Sequence, residues 1–388
     1  MRIVVSGGGT GGHIYPALAV AESLKRLRPD AEILYIGATT GMETEIVPRH
    51  GVEFRAVTAK KLRKTVSLST VGVAFSLWRG YNEARRALRE FRADAVVGTG
   101  GYVAAATVLA GARLGLPTLI HEGNVIAGRT NLWLARYVRR IGVTFAETVP
   151  QFPEAKTVVT GFPIRAGIIA PESVSQAAAR QTFAGLSPDQ FTVLVTGGSQ
   201  GARAINTAVF EAARELWAAG IQIIHHVGAK NFEDATRQAR ERGLLETGGY
   251  LPIAYLDAAQ MPLAWRACDA VVCRGGISTL AEALVNVRPS VIVPLPSAYA
   301  DHQTHNARAL ELAGAAILTP ESVLSASKLT TDLLNLRDNS KTYQSMVDAC
   351  RVLARPDAAD RVAEEMLGVR CFELSRLREL YEGRQNFP

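Results

Sequence analysis

The residues that could do chemistry sit in four glycine-rich stretches. In the first, Ser6-Gly7-Gly8-Gly9-Thr10-Gly11-Gly12-His13 follows the apolar run Ile3-Val4-Val5 and leads into a helical pattern over 16–27. Bare backbone at a helix N-terminus presents N–H groups and the positive end of the helix dipole. Together these favour a phosphate or another oxyanion. His13 is the one side chain of this loop that exchanges a proton near neutral pH. It is a candidate general base, although a neutral imidazole that positions substrate, or one that caps the helix, would occupy the same place. The loop lacks the Gly-Lys-Ser/Thr of a P-loop. No acidic residue ends a second strand, as a dinucleotide fingerprint requires.

The pattern recurs. Ala95-Val96-Val97 leads into Gly98-Thr99-Gly100-Gly101-Tyr102, and Thr192-Val193-Leu194-Val195 leads into Thr196-Gly197-Gly198-Ser199-Gln200-Gly201-Ala202. Ala270-Val271-Val272-Cys273 leads into Arg274-Gly275-Gly276-Ile277-Ser278-Thr279. A tight turn from strand to helix needs small residues in any α/β protein. Repetition at the carboxyl ends of apolar strands predicts more, namely sheets that present ligand-binding edges.

Strands are expected at 2–5, 33–36, 53–57, 95–98, 118–120 and 141–144, and again near 192–196, 222–226, 270–273, 290–293 and 315–318. Helices are expected between them, at 16–27, 43–49, 70–91, 102–114 and 128–137 in the first half. This alternation implies an α/β fold of two Rossmann-like domains, with parallel sheets facing across a cleft. The stretch from Gly161 to about Gln190 carries Pro163, Pro171 and Pro188 with little apolar periodicity, and reads as a hinge. The stretch 357–382 reads as charged helices that pack back on the first domain.

Composition narrows the partners. The 388 residues are 48% hydrophobic and 20% charged, the balance of a soluble globular protein. No apolar run reaches the ~18 residues of a membrane span, and no signal-peptide pattern follows Arg2. Cys268, Cys273, Cys350 and Cys371 form no Cys-x-x-Cys pair and are read as reduced thiols. Residues 1–160 hold 21 Lys and Arg against 12 Asp and Glu, whereas residues 161–388 hold 22 against 24. A basic first half suits an anionic surface or a phosphorylated ligand. No recognition helix, RNP-like strand or zinc pattern supports nucleic acid. The chain has no Asp-x-Asp, the carboxylate pair that commonly holds a divalent metal on a nucleotide diphosphate. No metal or other cofactor is therefore expected. Helix dipoles, loop amides and an arginine would stabilise the leaving group instead.

Taken with His121-Glu122-x-Asn124, Thr160-Gly161-x-Pro163-x-Arg165, Arg274-x-Gly276…Glu282 and Gln303-x-x-Asn306-Ala307, the glycine loops resemble glycosyltransferase family 28. The likeness runs over roughly residues 1–355. It is to the members that add N-acetylglucosamine to lipid I in peptidoglycan synthesis. It implies a GT-B fold with an acceptor- and membrane-binding domain over 1–162, a UDP-sugar-binding domain over 163–355 and C-terminal helices over 356–388. It also implies metal-independent transfer from UDP-N-acetylglucosamine at the cytoplasmic face of the membrane, with other cell-wall synthesis proteins as candidate partners. Carried over by residue, Glu282 binds the ribose hydroxyls, and Ser199, Gln200 and Arg165 the diphosphate. Asn124, Gln303 and Asn306 touch the sugar, and backbone from Ala258 to Met261 reads uracil. Thr10, Gly11, Gly12, Ile277, Ser278, Thr279, Leu280 and Ala281 complete the donor site, and His13, Tyr102, His121 and Glu122 face the acceptor.

The chain departs from the family at Gly123, Phe162, Ile277 and Val103-Ala104-Ala105-Ala106, and Phe162 and Ile277 are expected to narrow the cleft. Plainer readings stand beside these roles. Glu282 is read in the first turn of a helix, where any carboxylate is favoured by the dipole. Arg165 could be an ordinary surface cation, and His121-Glu122 a structural pair. His225 and His226 end a strand; core or surface placement is the expectation, with at most one of them in the cleft. Over 60–92, Val71, Val73, Ala74, Phe75, Leu77, Trp78 and Tyr81 cover more than one helical face. Lys60, Lys61, Arg63 and Lys64 precede them, and Arg79, Arg85 and Arg86 accompany them. The excess of apolar surface reads as a patch for an anionic membrane or as a dimer contact.

Overall fold

Strands of continuous Val, Ile and Leu are buried on both faces, as parallel sheets require. The computed structural model describes residues 1–59, 69–198, 201–246 and 248–368, but not the side chains of 69–75. Packing divides the chain into a first unit of Met1–Arg165 plus the chain from Asp357, and a second unit of Ala166–Pro356.

The first unit holds β1 (Arg2–Ser6), β2 (Glu32–Ala38), β3 (Glu53–Val57), β4 (Ala95–Gly98), β5 (Thr118–Glu122), β6 (Arg140–Val143) and β7 (Thr157–Val159). They form one parallel sheet in the order β3-β2-β1-β4-β5-β6-β7. The second unit holds β8 (Phe191–Thr196), β9 (Ile221–His226), β10 (Tyr250–Ile253), β11 (Ala270–Cys273), β12 (Ser290–Ile292) and β13 (Ala316–Leu318). Their order is β10-β9-β8-β11-β12-β13, again all parallel.

Each order reverses at its first strand, between β1 and β4 and between β8 and β11. Ligands of open parallel sheets bind at such a reversal, where neighbouring loops diverge and leave a crevice. The four glycine-rich stretches are the loops that leave these four strands. The register is close: Ser6 pairs with Gly98, and Thr196 with Cys273, so each pair of loops starts level.

Alternate strand residues feed opposite layers. In the first unit, Val4, Leu34, Ile36, Val96 and Ile120 pack on one face, with Ala84, Leu88, Val103 and Val108 of the helices Ser69–Glu90 and Gly101–Arg113. Ile3, Val5, Tyr35, Val97 and Leu119 pack on the other, against Ile14, Leu18 and Leu24 of the helix Gly11–Leu27. Residues 358–368 are helical, and Val362, Ala363 and Met366 complete that second layer. Arg26–Asp360 and Arg140–Glu365 ion pairs flank them. Residues 369–388, including Cys371, lie outside the described residues.

The helix expected over 16–27 begins five residues earlier, at Gly11. Glycines carry no hydrophobic period, so the pattern could not register them as its first turn. The expected hinge also differs. Its residues from Ala166 belong to the second unit. Arg180 is buried there, donating to the Ala267 and Pro188 carbonyls and pairing with Asp269 at 2.6 Å. Ala170 N–H donates to Asn286 Oδ1 at 2.7 Å. These polar clamps and the buried Ile168, Ala179, Phe183 and Leu186 hold this stretch, and its apolar residues are too irregularly spaced to show a period, which is why it read as a linker.

Candidate active site

In the first unit the β1 and β4 loops are tied together. His13 stands in the first turn of its helix, half-buried, with Nδ1 3.1 Å from the Thr99 carbonyl oxygen. A carbonyl only accepts, so Nδ1 carries the hydrogen and the neutral ring keeps its lone pair on Nε2. Thr99 Oγ1 donates back to the His13 carbonyl at 2.6 Å, and Thr99 N–H donates to Ser6 O at 2.9 Å. Gly100, at φ +107°, passes directly beneath the imidazole, and a Cβ there would press on Nδ1 and Cε1.

Two side chains that the sequence reading passed over hold this loop. Glu43 is fully buried, and its carboxylate accepts from Ala38 N–H at 3.2 Å and Gly9 N–H at 3.4 Å. Tyr35 is buried too and donates to Gly7 O at 2.6 Å. Burial, and then the Glu43 charge, push the Tyr102 hydroxyl above its ordinary range, so it remains a donor at neutral pH. Thr10 is exposed, and its carbonyl accepts from His13 and Ile14 N–H to start the helix, while Gly11 and Gly12 are half-buried.

The β5 loop is organised by a carboxylate. Glu122, 3% exposed, accepts from Asn124 N–H, Asn124 Nδ2, Gly128 N–H and Asn131 Nδ2, at 2.9 to 3.2 Å. His121, 1% exposed, donates from Nε2 to Gly161 O at 2.8 Å. Burial pushes its imidazole down to about 4, so it is neutral. Both expected acceptor contacts are therefore buried groups with protein partners, and what they present outward is the half-buried Asn124. Arg165 lies with its guanidinium 4.3 Å from the Tyr15 ring centre and Nη1 3.2 Å from His50 Nε2. His50 Nδ1 donates to Ile46 O at 2.9 Å, which leaves Nε2 to accept from Arg165. Tyr15 belongs to the His13 helix, so this cation is stacked beside the glycine loop rather than loose on the surface.

In the second unit Ser199 and Gln200 lie outside the described residues. Around them, Gly198 N–H donates to Thr196 Oγ1 at 3.2 Å. Gly201, at φ +70°, lies so close to the Val227 carbonyl that any Cβ would collide with it. After β11, Arg274 pairs with Glu321 at 2.6 Å and donates to the Val293 and Pro294 carbonyls. Asn306 is fully buried and donates to Gly275 O at 3.2 Å, while Gln303 Oε1 accepts from Leu295 N–H at 2.9 Å. These two residues clasp the β11 and β12 loops.

Glu282 is half-buried in the helix Ile277–Val285. It is the sixth helical residue and not in the first turn, so the dipole accounts for little of its placement. Burial, and then the Glu282 charge, push the Cys273 thiol up to about 12. Ser278 and Thr279 are half-buried, whereas Leu280 and Ala281 face the core. Ile277 and Phe162, expected to narrow a cleft, are 8% and 5% exposed and fill their own units. Phe162 meets His121 edge-on at 6.0 Å. Ala258 is exposed and Met261 half-buried, in a turn that Asp257 Oδ1 holds by accepting from Ala259 and Gln260 N–H at 2.8 Å.

Among the described residues no cluster of His, Cys, Asp or Glu could hold a metal ion. The first unit offers an imidazole whose Nε2 is the acceptor of its neutral form and a stacked guanidinium, and the second unit a half-buried helical carboxylate.

Residues 3–143 match the glycosyltransferase family 28 N-terminal domain, and residues 192–362 the glycosyltransferase family 28 C-terminal domain. A relative from Desulfitobacterium hafniense (strain Y51) is 40% identical over 372 residues, covering 95% of this chain and 99% of its own. It is named UDP-N-acetylglucosamine--N-acetylmuramyl-(pentapeptide) pyrophosphoryl-undecaprenol N-acetylglucosamine transferase. A relative of the same name from Bacillus subtilis (strain 168) is 37% identical, covering 93% of this chain and 98% of its own. Among solved structures, MurG of Acinetobacter baumannii is similar with a TM-score of 0.73 and 28% identity, covering 95% of this chain and 99% of that one. The UDP-GlcNAc 2-epimerase from Neisseria meningitidis, solved with UDP-GlcNAc, shares the fold at a TM-score of 0.68 and 13% identity, covering 95% and 100%.

The β1 loop geometry predicts the effect of losing its buried carboxylate. Glu43→Ala leaves two backbone donors without their acceptor and should lower stability by about 1–3 kcal/mol. Glu43→Gln, which keeps an acceptor oxygen, should lose less. Urea unfolding measures both, and an unchanged Glu43→Ala midpoint would show that the carboxylate does not hold the loop.

Proposed function

The chain belongs to glycosyltransferase family 28, and on that premise we propose that it transfers N-acetylglucosamine from UDP-N-acetylglucosamine to lipid I. Lipid I is undecaprenyl-diphosphate N-acetylmuramoyl-pentapeptide, and the product is lipid II of peptidoglycan biosynthesis. The observation that carries this reading is 40% identity, over nearly all of both chains, to a relative named for that transfer.

The first unit takes the acceptor and the second unit the donor. The acceptor hydroxyl attacks the anomeric carbon from the face opposite UDP, so configuration inverts. The new C–O bond forms as the bond to the diphosphate breaks, and that electron pair leaves with UDP. His13 Nε2 accepts the hydroxyl proton, because the Thr99 carbonyl keeps the hydrogen on Nδ1. Tyr102 donates to the acceptor. Glu122 acts by positioning the Asn124 loop that touches the sugar, and His121 by holding the backbone at Gly161. Loop amides from Thr10 to Gly12 and around Ser199 and Gln200, with Arg165, bear the charge that develops on the diphosphate. No metal is assigned to this step.

Glu282 accepts from the ribose hydroxyls, with Ser278 and Thr279 beside it, and backbone near Ala258 and Met261 meets uracil. Ile277, Leu280 and Ala281 contribute shape and backbone, since their side chains are buried. Gln303 and Asn306 set the loops against which the sugar rests.

The lipid tail of the acceptor keeps it in the bilayer, so the enzyme works as a peripheral protein at the cytoplasmic face. No helix among the described residues is long and apolar enough to cross a membrane. Trp78 is 62% exposed on the helix Ser69–Glu90, beside Arg79. Phe75, whose side chain is not described, and Lys60 to Lys64 fall outside what the structure supports. Each cation near an anionic surface contributes about 1 kcal/mol, and salt screens it.

Turnover with a soluble short-chain acceptor tests the roles. His13→Ala should lower kcat about 10²–10⁴-fold with donor affinity nearly unchanged. Glu282→Ala should instead raise the donor KM, by the equivalent of about 1.5–3 kcal/mol, because a charged hydrogen-bond partner is lost. Normal kcat with poor acceptor KM in His13→Ala would make His13 a positioning residue, and wild-type constants in Glu282→Ala would remove it from the donor site.

Vesicle sedimentation tests the membrane role. Binding should be strong to anionic vesicles, weak to neutral ones and reduced by salt. Phe75→Ser with Trp78→Ser should weaken it while sparing turnover of the soluble acceptor. Equal binding by wild type and variant would assign the patch to the core or a dimer interface.

A further inference from the structure

Two adjacent histidines end β9, and their surroundings differ. His225 is fully buried with both ring nitrogens met, Nδ1 by the Tyr250 hydroxyl at 2.8 Å and Nε2 by Asn206 Oδ1 at 3.1 Å. Burial, and then the neighbouring His226, push it down to about 3, so it is a neutral structural group. His226 is 3% exposed and only half met. Its Nδ1 lies 3.1 Å from Thr196 Oγ1, while its Nε2 is buried and has no hydrogen-bond partner.

Thr196 Oγ1 accepts from Gly198 N–H and has both a proton to give and a second lone pair, so its contact with Nδ1 suits either neutral tautomer of His226. Burial lowers the imidazole below its ordinary range, so the neutral ring carries one hydrogen, and an oxygen acceptor at Nε2 selects the tautomer that places it there. A buried polar atom without a partner is a standing cost unless another group supplies one. His226 is the last residue of β9, at the carboxyl edge of the sheet. Thr196 and Gly198 beside it begin the glycine loop of β8, and the Tyr255 ring stands edge-on at 6.2 Å.

We propose that His226 is a donor-site binding residue whose Nε2–H meets a phosphate oxygen of the nucleotide diphosphate. The inference rests on the donor reading above and deepens it. The Thr196 hydroxyl joins the imidazole to the loop amide at Gly198, so loop and ring are oriented together. Phosphate is the fitting chemistry because the β8 loop leads into the N-terminus of the helix Arg203–Ala218 at the sheet reversal, where an anion is favoured. Of the two histidines that end β9, His226 rather than His225 reaches the ligand.

The test is calorimetric binding of UDP and of uridine, which lacks phosphate, to the full chain. His226→Ala should bind UDP about tenfold more weakly, about 1.4 kcal/mol, with uridine changed less than about twofold. His226→Phe, which keeps a ring but no donor, should lose the same, and it carries the test if the alanine variant does not fold. His226→Gln, whose amide nitrogen can stand near Nε2, should recover most of the loss. Wild-type UDP affinity in the alanine or phenylalanine variant would overturn the proposal. Equal loss for UDP and uridine would also overturn it, placing the ring in support of the base. Failure of the wild type to bind either ligand would overturn the donor reading itself, a different result from failure of the variants alone.

Discussion

The reciprocal pair of hydrogen bonds between His13 and Thr99 is the constraint from which the rest of the first unit's site follows. It crosses the sheet reversal between β1 and β4, so it joins loops 86 residues apart in the chain. It also selects the tautomer of His13, and with it which nitrogen is basic. The bond demands very close backbone approach, and Gly100 beneath the ring is the consequence. Glu43 and Tyr35 then pin the far side of the same loop from β2 and the helix after it. A glycine-rich turn is often treated as loose, but here its freedom is consumed by side chains that hold it from three neighbouring segments.

The second unit holds its loops with different chemistry. Its reversal lies between β8 and β11, and hydroxyl, imidazole and amide groups hold each loop on its own side of it. Thr196 links the loop amide to His226, Asn206 links helix Arg203–Ala218 to His225 and to the Val227 carbonyl, and Asn306 holds Gly275. Several polar residues that could have been ligands in their own right are thus engaged in shaping the loops. Buried polar groups must be satisfied, and a loop rich in glycine offers many backbone partners and few side chains. The polar residues of adjoining helices supply the remainder.

The polar residues of these loops divide into half-buried groups and buried groups that hold the backbone. His13, Tyr102, Asn124, Arg165 and Glu282 are half-buried and keep part of their surface exposed. His121, Glu122 and Asn306 are buried and turned toward protein atoms. The reach of Arg165 is set by stacking on Tyr15, a residue one helical turn from the glycine loop. A planar guanidinium held over an aromatic face is pre-oriented, so less side-chain freedom is lost when it meets an anion.

The sequence by itself determined the alternation of apolar strands and helices, the four glycine loops and the identity of His13 as the one side chain of the first loop suited to exchange a proton near neutral pH. Those features are local. A buried parallel strand must be continuously apolar, and a tight turn into a helix must be small. The reversal of strand order that makes those loops neighbours was decided by tertiary structure, because pairing between β1 and β4 depends on residues about 90 positions apart. Glu43 escaped notice for the same reason: nothing near it in the chain shows that its carboxylate lies under Gly9. The second-turn position of Glu282 and the polar clamps of 166–190 were equally invisible, since glycines and buried polar groups leave no hydrophobic period. Residue type and short spacing say which groups can react. Only packing across the sheet says which of them face outward, which tautomer each holds and which are spent holding the others in place.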